Sequence, residues 1–569
     1  MSKMRAYRAG TQETEDPALV VRPRMKILFI SPPDIHAEGF DLATARRRRY
    51  LNYPPYGLGL LAAIAEEKGH EAQILNLQSA VLKEAQTAKT FDFAAAWQKA
   101  IPEATPDLIA LTCMFSQTHK SLQAVSAHLA AKFPDVPQIA GGVHVTNSLM
   151  QPETKEKFVS DLPHISRFML YEAEAEFSAF LDGRKLIQGR MPPAGTDLDR
   201  RPAWHLMDPR ESSRWGKVGA FYFMLGDPVT ATVLSNRGCR AHCTFCSVRN
   251  FNGEGVRRRN VDAVVDELLL LQNEYGVEHV MWLDDDFLFD RRETMRLFNE
   301  MVRRGVRLTW DCSNGVIAAS CTDELLAGAV ASGCIGLILG MESGNASILR
   351  EIKKPGTVRI FLKAAEALRK FPTIHSRVFL MIGFPNETLR QIRDTLDVAK
   401  EMDLDWYNIA PLQALPNTPI YRAANPQADP TAIRFNSGAY SRAVEKARGG
   451  RELLSTDFKH AFDDLDRVPS VAELDTIWAY MNYHLNYARL DHETRPVKLR
   501  MQQKYVEHIC DAIAPDNAFA MHYSRVLSRK LGEPVTERQT ERLRRTLSDP
   551  YWRARFNDFN LMEEQCQPA

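Results

Sequence analysis

The sequence predicts an α/β protein with two consecutive units, a doubly wound open sheet and a six-stranded partial barrel, followed by a mainly helical region. Strand-like apolar runs alternate with helical patterns over residues 25–190, and a second alternation of this kind covers residues 226–420. After residue 420 the strand signal fades. A chain of 569 residues also needs several domains, because one domain holds ~150 residues.

The first unit opens with the apolar run Lys26–Ser31, which two prolines end, as is typical of a buried parallel strand. Ligands of doubly wound sheets bind beyond the carboxyl ends of the strands, where glycines and polar residues cluster here. The further predicted elements are a helix at 57–68, strands at 72–75 and 107–112, a helix at 121–132 and a strand at 137–140.

The second unit follows a linker at residues 191–225 and has the strand and helix signals of a (βα)6 partial barrel. Its predicted strands are 230–235, 279–284, 307–311, 335–341, 377–383 and 406–411. Its predicted helices are 261–275, 291–304, 322–331, 358–370 and 388–402. Residues 421–569 are predicted to form a helical C-terminal domain.

The composition indicates an ordinary globular protein, with 45% hydrophobic residues, 25% charged residues and a formal net charge of +1. This balance gives no electrostatic reason to expect nucleic acid as a partner. Residues 1–24 form a polar leader without the apolar core of a signal peptide, and no run could span a membrane. We therefore expect a cytoplasmic protein. The basic block Arg46–Arg49 is either a solvated loop or part of an anion site.

A triplet of cysteines, Cys239, Cys243 and Cys246, follows the first strand of the partial barrel. Three thiolates so close in sequence can converge on one metal centre, and sulfur ligands favour zinc or an iron–sulfur cluster. Structural zinc needs four protein ligands, and His242 is poorly placed to be the fourth. A cluster with one open iron fits better. Other cysteines, Cys312 among them, are expected to be ordinary buried thiols.

With Phe245 before its last cysteine, the C-x3-C-x2-C loop resembles the signature of radical S-adenosylmethionine (SAM) enzymes. Later segments resemble the family's SAM-binding motifs in the family's order. The acidic stretch Trp282–Phe287 resembles the segment that binds the SAM amino group, with Asp285 as the expected contact. Gly340–Gly344 resembles the ribose-binding segment, with Glu342 and Ser343, and Ile382–Thr388 resembles the adenine-binding segment, with Gly383 and Pro385. The last is the closing segment Pro416–Pro419, in which Asn417 replaces a glycine. The resemblance implies a [4Fe-4S] cluster on the three cysteines and SAM as cofactor.

The N-terminal unit lacks both the dinucleotide fingerprint and the phosphate-binding loop. It resembles instead the cobalamin-binding domain of class B radical SAM enzymes. Three segments carry this resemblance, Pro54–Leu58, Thr112–Ser116 and Gly141–Thr146. The resemblance implies that Thr112, Ser116, Gly141, Gly142 and His144 contact the cobalamin. Glycines at a strand end would let the backbone approach a large flat ligand. A domain that has lost its ligand is the alternative. A methylthiotransferase would need three further cysteines, and this unit has only Cys113.

Asp34, His36 and Gly39 match the D-x-H-x-x-G pattern of cobalamin proteins, in which the histidine binds cobalt and the aspartate orients the imidazole. Class B radical SAM enzymes commonly leave the lower cobalt face without a histidine. Two interpretations of His36 therefore stay open, an axial ligand and a polar loop residue near the corrin.

The resemblance implies a cobalamin-dependent radical SAM enzyme that methylates an unactivated carbon of a small-molecule metabolite. A 5′-deoxyadenosyl radical would remove a hydrogen atom, methylcobalamin would deliver the methyl group, and an electron donor such as flavodoxin or ferredoxin would reduce the cluster. A cyclase or rearrangement enzyme with the same cofactors is one alternative, and a sensor without turnover is another. C-terminal aromatics such as Tyr483 and Tyr487 are expected to pack in a core rather than contact the substrate.

Overall fold

The computed structural model describes residues 14–15, 24–150, 152–186, 189–192, 196–415, 417–424 and 462–562. Most of the predicted leader, Pro416 of the closing motif, and residues 425–461 of the predicted C-terminal domain therefore lie outside the described residues. Within the ranges given above, no helix is long and apolar enough to cross a membrane.

The N-terminal sheet has five parallel strands in the order β3-β2-β4-β5-β6, which confirms the predicted doubly wound fold. The strand order reverses between β2 and β4, and in such sheets this switch point forms the ligand crevice. Strand β6 was not predicted, because only two of its five residues are buried and its sequence shows no apolar run. The strands are β1 Thr14–Glu15, β2 Lys26–Ser31, β3 Glu71–Asn76, β4 Leu108–Thr112, β5 Gln138–Gly141, β6 Ile165–Met169 and β7 Arg184–Lys185, with β1 and β7 paired separately.

Helices cover both faces of this sheet, and apolar side chains such as Ile30, Leu111, Leu122 and Val125 form the core on one side. Phe29, Leu58, Ala62 and Phe177 lie in a separate core on the other side. The helices are α1 Leu42–Arg46, α2 Tyr56–Glu67, α3 Leu77–Thr87, α4 Phe93–Gln98, α5 His119–Lys132, α6 Val143–Leu149, α7 Pro152–Asp161 and α8 Glu174–Leu181.

The second unit is a partial barrel of six parallel strands that are neighbours in chain order, as predicted. Its strands are β8 Thr230–Val233, β11 His279–Trp282, β12 Thr309–Val316, β13 Cys334–Glu342, β14 His375–Ile382 and β15 Trp406–Pro411. The helices of this unit and of its flanks are α9 Pro209–Trp215, α10 Val248–Asn252, α11 Val261–Glu274, α12 Arg291–Arg303, α13 Asp323–Ala331, α14 Ala346–Glu351, α15 Val358–Arg369, α16 Leu389–Met402 and α17 Pro419–Ala424.

A hairpin that the sequence analysis did not predict lies between β8 and α11. Its antiparallel strands are β9 Asn236–Cys239 and β10 Gly255–Arg258. Gly238 has a φ of 91°, and a Cβ there would lie 2.4 Å from the carbonyl oxygen of Gly255. The hairpin therefore needs glycine at this position, and its polar sequence gives no strand pattern.

The described C-terminal residues are helical and cover the open edge of the barrel at β15. In a turn of π-helix at Tyr483–Tyr487, the Asn486 amide bonds both the backbone N–H and the carbonyl of Tyr407, at 2.7 and 2.9 Å. This contact pairs an edge that would otherwise be exposed. Tyr483 and Tyr487 lie in the core, as expected. The helices are α18 Val471–Asn482, α19 Pro496–His508, α20 Ala518–Lys530, α21 Glu537–Thr546 and α22 Pro550–Asp558.

Candidate active site

The cysteine loop begins at the end of β9 and is fixed by two later segments of the barrel. The Thr244 N–H donates to the Ile352 carbonyl at 2.9 Å, and the Thr244 carbonyl accepts from the Ile420 N–H at 3.1 Å. Phe245 packs on an apolar cluster that includes Ile352 and Phe384. The loop is therefore held in place from α14 and α17 before any ligand binds.

The thiols of Cys239, Cys243 and Cys246 are free and partly accessible. Burial raises the pKa of each thiol to about 11, and the neighbouring thiols contribute to the rise. Across the part of the chain that the structure describes, no three His, Cys, Asp or Glu side chains converge closely enough to hold a single metal ion. A cubane cluster binds each cysteine at a different iron, so its ligands spread more widely than those of one ion. Three thiols form a donor set that suits a [4Fe-4S] cluster with one open iron, and their role as its ligands stays a prediction.

A lysine that the sequence analysis missed lies beside this loop. The Lys354 ammonium is 2.9 Å from the Glu342 carboxylate and 5.9 Å from the ring centroid of Phe245. A Cβ on Gly340 would lie 2.7 Å from the ammonium nitrogen, so this glycine leaves room for it. The positive charge opposes the burial-raised pKa of Cys243. Its only sequence signal is a Lys-Lys pair after α14, which looks like any solvated helix end.

The three carboxylates after β11 have different surroundings. Asp284 is fully buried and accepts from the Ser235 backbone N–H at 2.9 Å and from its hydroxyl. Asp286 is also fully buried and pairs with Arg240 at 3.0 Å. Asp285 alone keeps accessible surface, and accepts from the Asn252 amide at 2.7 Å. Of the three, Asp285 is therefore the one placed to meet a ligand.

Of the two residues predicted to contact the SAM ribose, one lies beside the cysteine loop and the other is buried inside the barrel unit. Glu342 has a φ of 69° at an irregularity in β13, which turns its carboxylate toward Lys354. Ser343 is fully buried, and its hydroxyl lies 3.1 Å from that of Thr395 on α16. The structure thus places Glu342, but not the Ser343 side chain, beside the cysteine loop.

The predicted adenine turn is held by its own glutamate. One carboxylate oxygen of Glu387 accepts from the N–H groups of Gly383 and Phe384 at 2.6 and 3.1 Å. Gly383 adopts a left-handed φ of 81°, while Pro385 keeps accessible surface. The turn is preformed at the carboxyl end of β14, next to the end of β13.

The carboxyl edge of the N-terminal sheet has the features of a ligand-binding crevice. Met114 and Phe115, in the loop after β4, are 50% and 43% exposed. Thr112 and Ser116 flank them with accessible surface, and Asp34 faces them across the switch point. Burial raises the pKa of Asp34 to about 7, and no cation pairs with its carboxylate among the residues described. Exposed apolar side chains beside polar ones suit a large flat cofactor such as cobalamin, whose corrin ring has apolar faces and polar amide side chains.

Other predicted cobalamin contacts have different roles in the structure. His36 Nδ1 accepts from the Glu38 N–H at 3.5 Å, and no hydrogen bond joins it to Asp34 in the described structure, so the expected orienting contact is absent. Gly39 ends this short turn. Whether His36 binds cobalt remains a prediction.

The two glycines at the carboxyl end of β5 also serve the fold. A Cβ on Gly142 would lie 2.5 Å from the Cys113 carbonyl, and one on Gly141 would lie 3.2 Å from the Met169 carbonyl. Close contact with a neighbouring strand end accounts for Gly142 and constrains Gly141, and their contact with a flat cofactor stays a prediction. His144 points into the domain, where its ring nitrogen is 3.2 Å from that of His119.

The two predicted sites adjoin each other. Helix α10, which directly follows the cysteine loop, packs against α6, which directly follows Gly142. The Asn417 carbonyl accepts from the Asn250 amide at 3.2 Å, and the Asn417 amide donates to the Asn147 carbonyl at 2.6 Å. The closing turn of the barrel thus bridges α10 and α6. The helix that follows the carboxyl end of β5 therefore lies against the helix that follows the cysteine loop.

Comparison with known proteins agrees with this architecture. Cytidylyl-2-hydroxyethylphosphonate methyltransferase of Streptomyces wedmorensis is 26% identical over 412 residues, which are 61% of this chain and 73% of that protein. Anaerobic magnesium-protoporphyrin IX monomethyl ester cyclase of Cereibacter sphaeroides is 22% identical over 424 residues, 71% of this chain and 64% of that protein. The solved structure of the cobalamin-dependent SAM radical enzyme OxsB, with aqua-cobalamin and SAM bound, superimposes with a TM-score of 0.56 at 14% identity, covering 96% of this chain and 82% of that one.

Two domain families match the chain in the order that the fold shows. Residues 44–157 match the B12 binding domain, and residues 233–399 match the Radical SAM superfamily. The first range includes the strand ends at Thr112 and Gly141, and the second includes all three cysteines. The chain therefore contains a B12-binding domain followed by a radical SAM domain.

Proposed function

We propose that this chain is a cobalamin-dependent radical SAM methyltransferase that acts on an unactivated carbon of a small molecule. The observation that carries the proposal is the contact between α10, the helix after the cysteine loop, and α6, the helix after β5 of the B12-binding domain. Two cofactors that serve one substrate must lie close to it, and this contact supports such an arrangement.

When bound, the cluster supplies the electron that cleaves SAM, and cobalamin carries the methyl group. The protein's contribution is position, charge and exclusion of water. We assign Cys239, Cys243 and Cys246 to the cluster and Asp285 to the SAM ammonium. The preformed turn at Gly383 and Pro385 would hold the adenine without further reorganisation.

A cyclase or rearrangement enzyme is the second candidate, since one of the relatives is named as a cyclase. The residues around the cysteine loop favour neither outcome, because both reactions begin with the same cleavage of SAM. A sensor would need no accessible carboxylate beside an open cluster, so Asp285 argues against it. We further propose that the protein works in the cytoplasm, with flavodoxin or ferredoxin as the electron donor.

The balance of products tests the proposed function. Reconstituted, reduced protein with bound cobalamin would be given SAM and candidate substrates, and both nucleoside products would be quantified. A methyltransferase forms S-adenosylhomocysteine and 5′-deoxyadenosine in about equal amounts, because each turnover uses two SAM molecules. A cyclase forms 5′-deoxyadenosine with little S-adenosylhomocysteine, and that result would replace the proposal. The Cys243→Ala variant is the control and should form no 5′-deoxyadenosine.

A further inference from the structure

Glu172 lies just after β6, at the edge of the N-terminal domain, and contacts the hairpin that carries Cys239. Its carboxylate accepts from the Arg237 guanidinium at 2.9 Å and from Arg257 at 2.8 Å. The side chains of Glu172, Arg237 and Arg257 are only 8%, 11% and 16% exposed. One carboxylate of the N-terminal domain thus joins two arginines of the barrel in a largely buried site.

The two arginines need a carboxylate between them because they lie directly opposite each other in the strand pair. Arg237 and Arg257 are direct partners in the antiparallel ladder of β9 and β10. Like charges directly opposite each other destabilise a strand pair, and a buried charge without a partner is strongly destabilising. Glu174 also pairs with Arg237, at 2.6 Å. Among the described residues, however, Glu172 is the one carboxylate within ion-pair distance of Arg257.

The pair of Arg237 and Arg257 lies close to the candidate active site. Cys239 pairs with Gly255 in this ladder, two positions along from the pair of Arg237 and Arg257. On the other side, the Arg257 guanidinium donates to the Asn252 carbonyl at 3.0 Å, and the Asn252 amide donates to the Asp285 carboxylate at 2.7 Å. A displacement of Arg257 would therefore reach both a cluster ligand and the carboxylate assigned to SAM.

We propose that Glu172 is a positioning residue that makes the cysteine hairpin and Asp285 depend on docking of the B12-binding domain. By neutralising the opposed arginines, it keeps the hairpin paired and Asn252 in contact with Asp285. The proposal deepens the proposed function and rests on its assignment of the cluster and SAM to this end of the barrel. It adds that the B12-binding domain helps to build the SAM site.

The test compares Glu172→Gln with the double variant Glu172→Gln/Arg257→Gln in the full-length protein. The single variant leaves two opposed arginines with only Glu174, whereas the double variant leaves one arginine paired with Glu174. After reconstitution, we expect Glu172→Gln to lose iron to a chelator at least fivefold faster than wild type. The double variant should return to within about twofold of wild type.

One further readout and one control variant separate positioning from simple loss of fold. The EPR spectrum of the reduced cluster should change on addition of SAM in wild type and should respond several-fold less at equal SAM concentration in Glu172→Gln. Glu176→Gln is the matched control, because Glu176 is a buried carboxylate of the same domain whose nearby charge, Arg167, belongs to that domain. It should match wild type in iron retention and in the SAM response.

Unchanged iron retention and SAM response in Glu172→Gln would overturn the proposal. A double variant that loses iron as fast as the single variant would also overturn it, since the unpaired arginine would not be the cause. A wild-type protein that takes up no iron would remove the cluster assignment itself, and with it the proposed function. These outcomes distinguish a failure of the positioning proposal from a failure of the proposed function.

Discussion

The Lys354 ammonium forms a 2.9 Å ion pair with Glu342, and both side chains are about nine-tenths buried beside the cysteine loop. A cluster held by three thiolates carries net negative charge, and reduction makes that charge larger. Charge near a cluster is one of the factors that set its reduction potential. The pair therefore places one cation and one anion where they influence the proposed cluster in opposite directions.

Replacing Lys354 is expected to lower the reduction potential of the cluster. Lys354→Gln removes the cation and should make reduction about tenfold less favourable, or ~59 mV for one electron. Lys354→Arg should keep a potential near that of wild type, and Glu342→Gln should raise it. EPR-monitored redox titration without SAM measures all three, and equal potentials in the Gln and Arg variants would contradict the expectation.

Replacing Asp285 is expected to weaken SAM binding while the cluster stays in place. Asp285→Asn should cost ~1.5–3 kcal/mol of binding free energy, because a hydrogen bond to the ammonium loses its charge. Asp284→Asn should instead lower the unfolding temperature, since Asp284 is fully buried and accepts from Ser235. Equilibrium binding of SAM and thermal unfolding separate the two effects. Wild-type affinity in Asp285→Asn would reassign the ammonium partner.

The pair between Asp405 and Lys498 is expected to stabilise the contact of the C-terminal helices with the barrel. The two groups are 2.5 Å apart, and both are almost fully buried. Removing one partner of such a pair costs ~3–5 kcal/mol, so Asp405→Asn should lower the free energy of unfolding by about that amount at pH 7. Denaturant titration measures it. Asp466→Asn, at an exposed pair with Arg390, is the control and should change little.

The same pair gives a pH dependence with a definite sign. Burial alone would raise the pKa of Asp405, but Lys498 and neighbouring cations outweigh it and hold that pKa well below the usual value. The stabilisation is therefore complete above the unfolded pKa of ~3.9 and is lost as the pH falls further. The difference between wild type and Asp405→Asn should shrink below about pH 4. A difference that is the same at pH 7 and pH 3 would contradict this assignment.

The question of the cobalt ligand is settled by the visible spectrum of bound cobalamin. An imidazole below cobalt shifts this spectrum relative to the form with water or no lower ligand. If His36 is the ligand, His36→Ala should erase the shift. Coincident spectra would make His36 a loop residue, which its hydrogen bond from the Glu38 N–H favours. The control is His119→Ala, because His119 contacts His144 inside the domain.

Local patterns in the sequence were enough to predict the fold class and the position of the cysteine loop. The predicted barrel strand at 406–411 is β15 itself, and the strand predicted at 26–31 is β2. Such strands are recognisable because buried parallel strands are continuously apolar. Strand β6 and the hairpin of β9 and β10 escaped prediction because none of these strands has a continuous apolar run, and their pairing depends on partners elsewhere in the chain.

By itself, the sequence determined that a C-x3-C-x2-C loop follows the first barrel strand and that acidic and glycine-containing segments follow later strands, because spacing within a segment is a local property. Only the tertiary structure decided that Asp285, and not Asp284 or Asp286, keeps accessible surface. It also decided that Lys354 faces the cysteine loop and that Glu172 joins two arginines of another domain. Burial and ion pairing arise from contacts between residues far apart in the chain, and such contacts exist only once the domains have packed together.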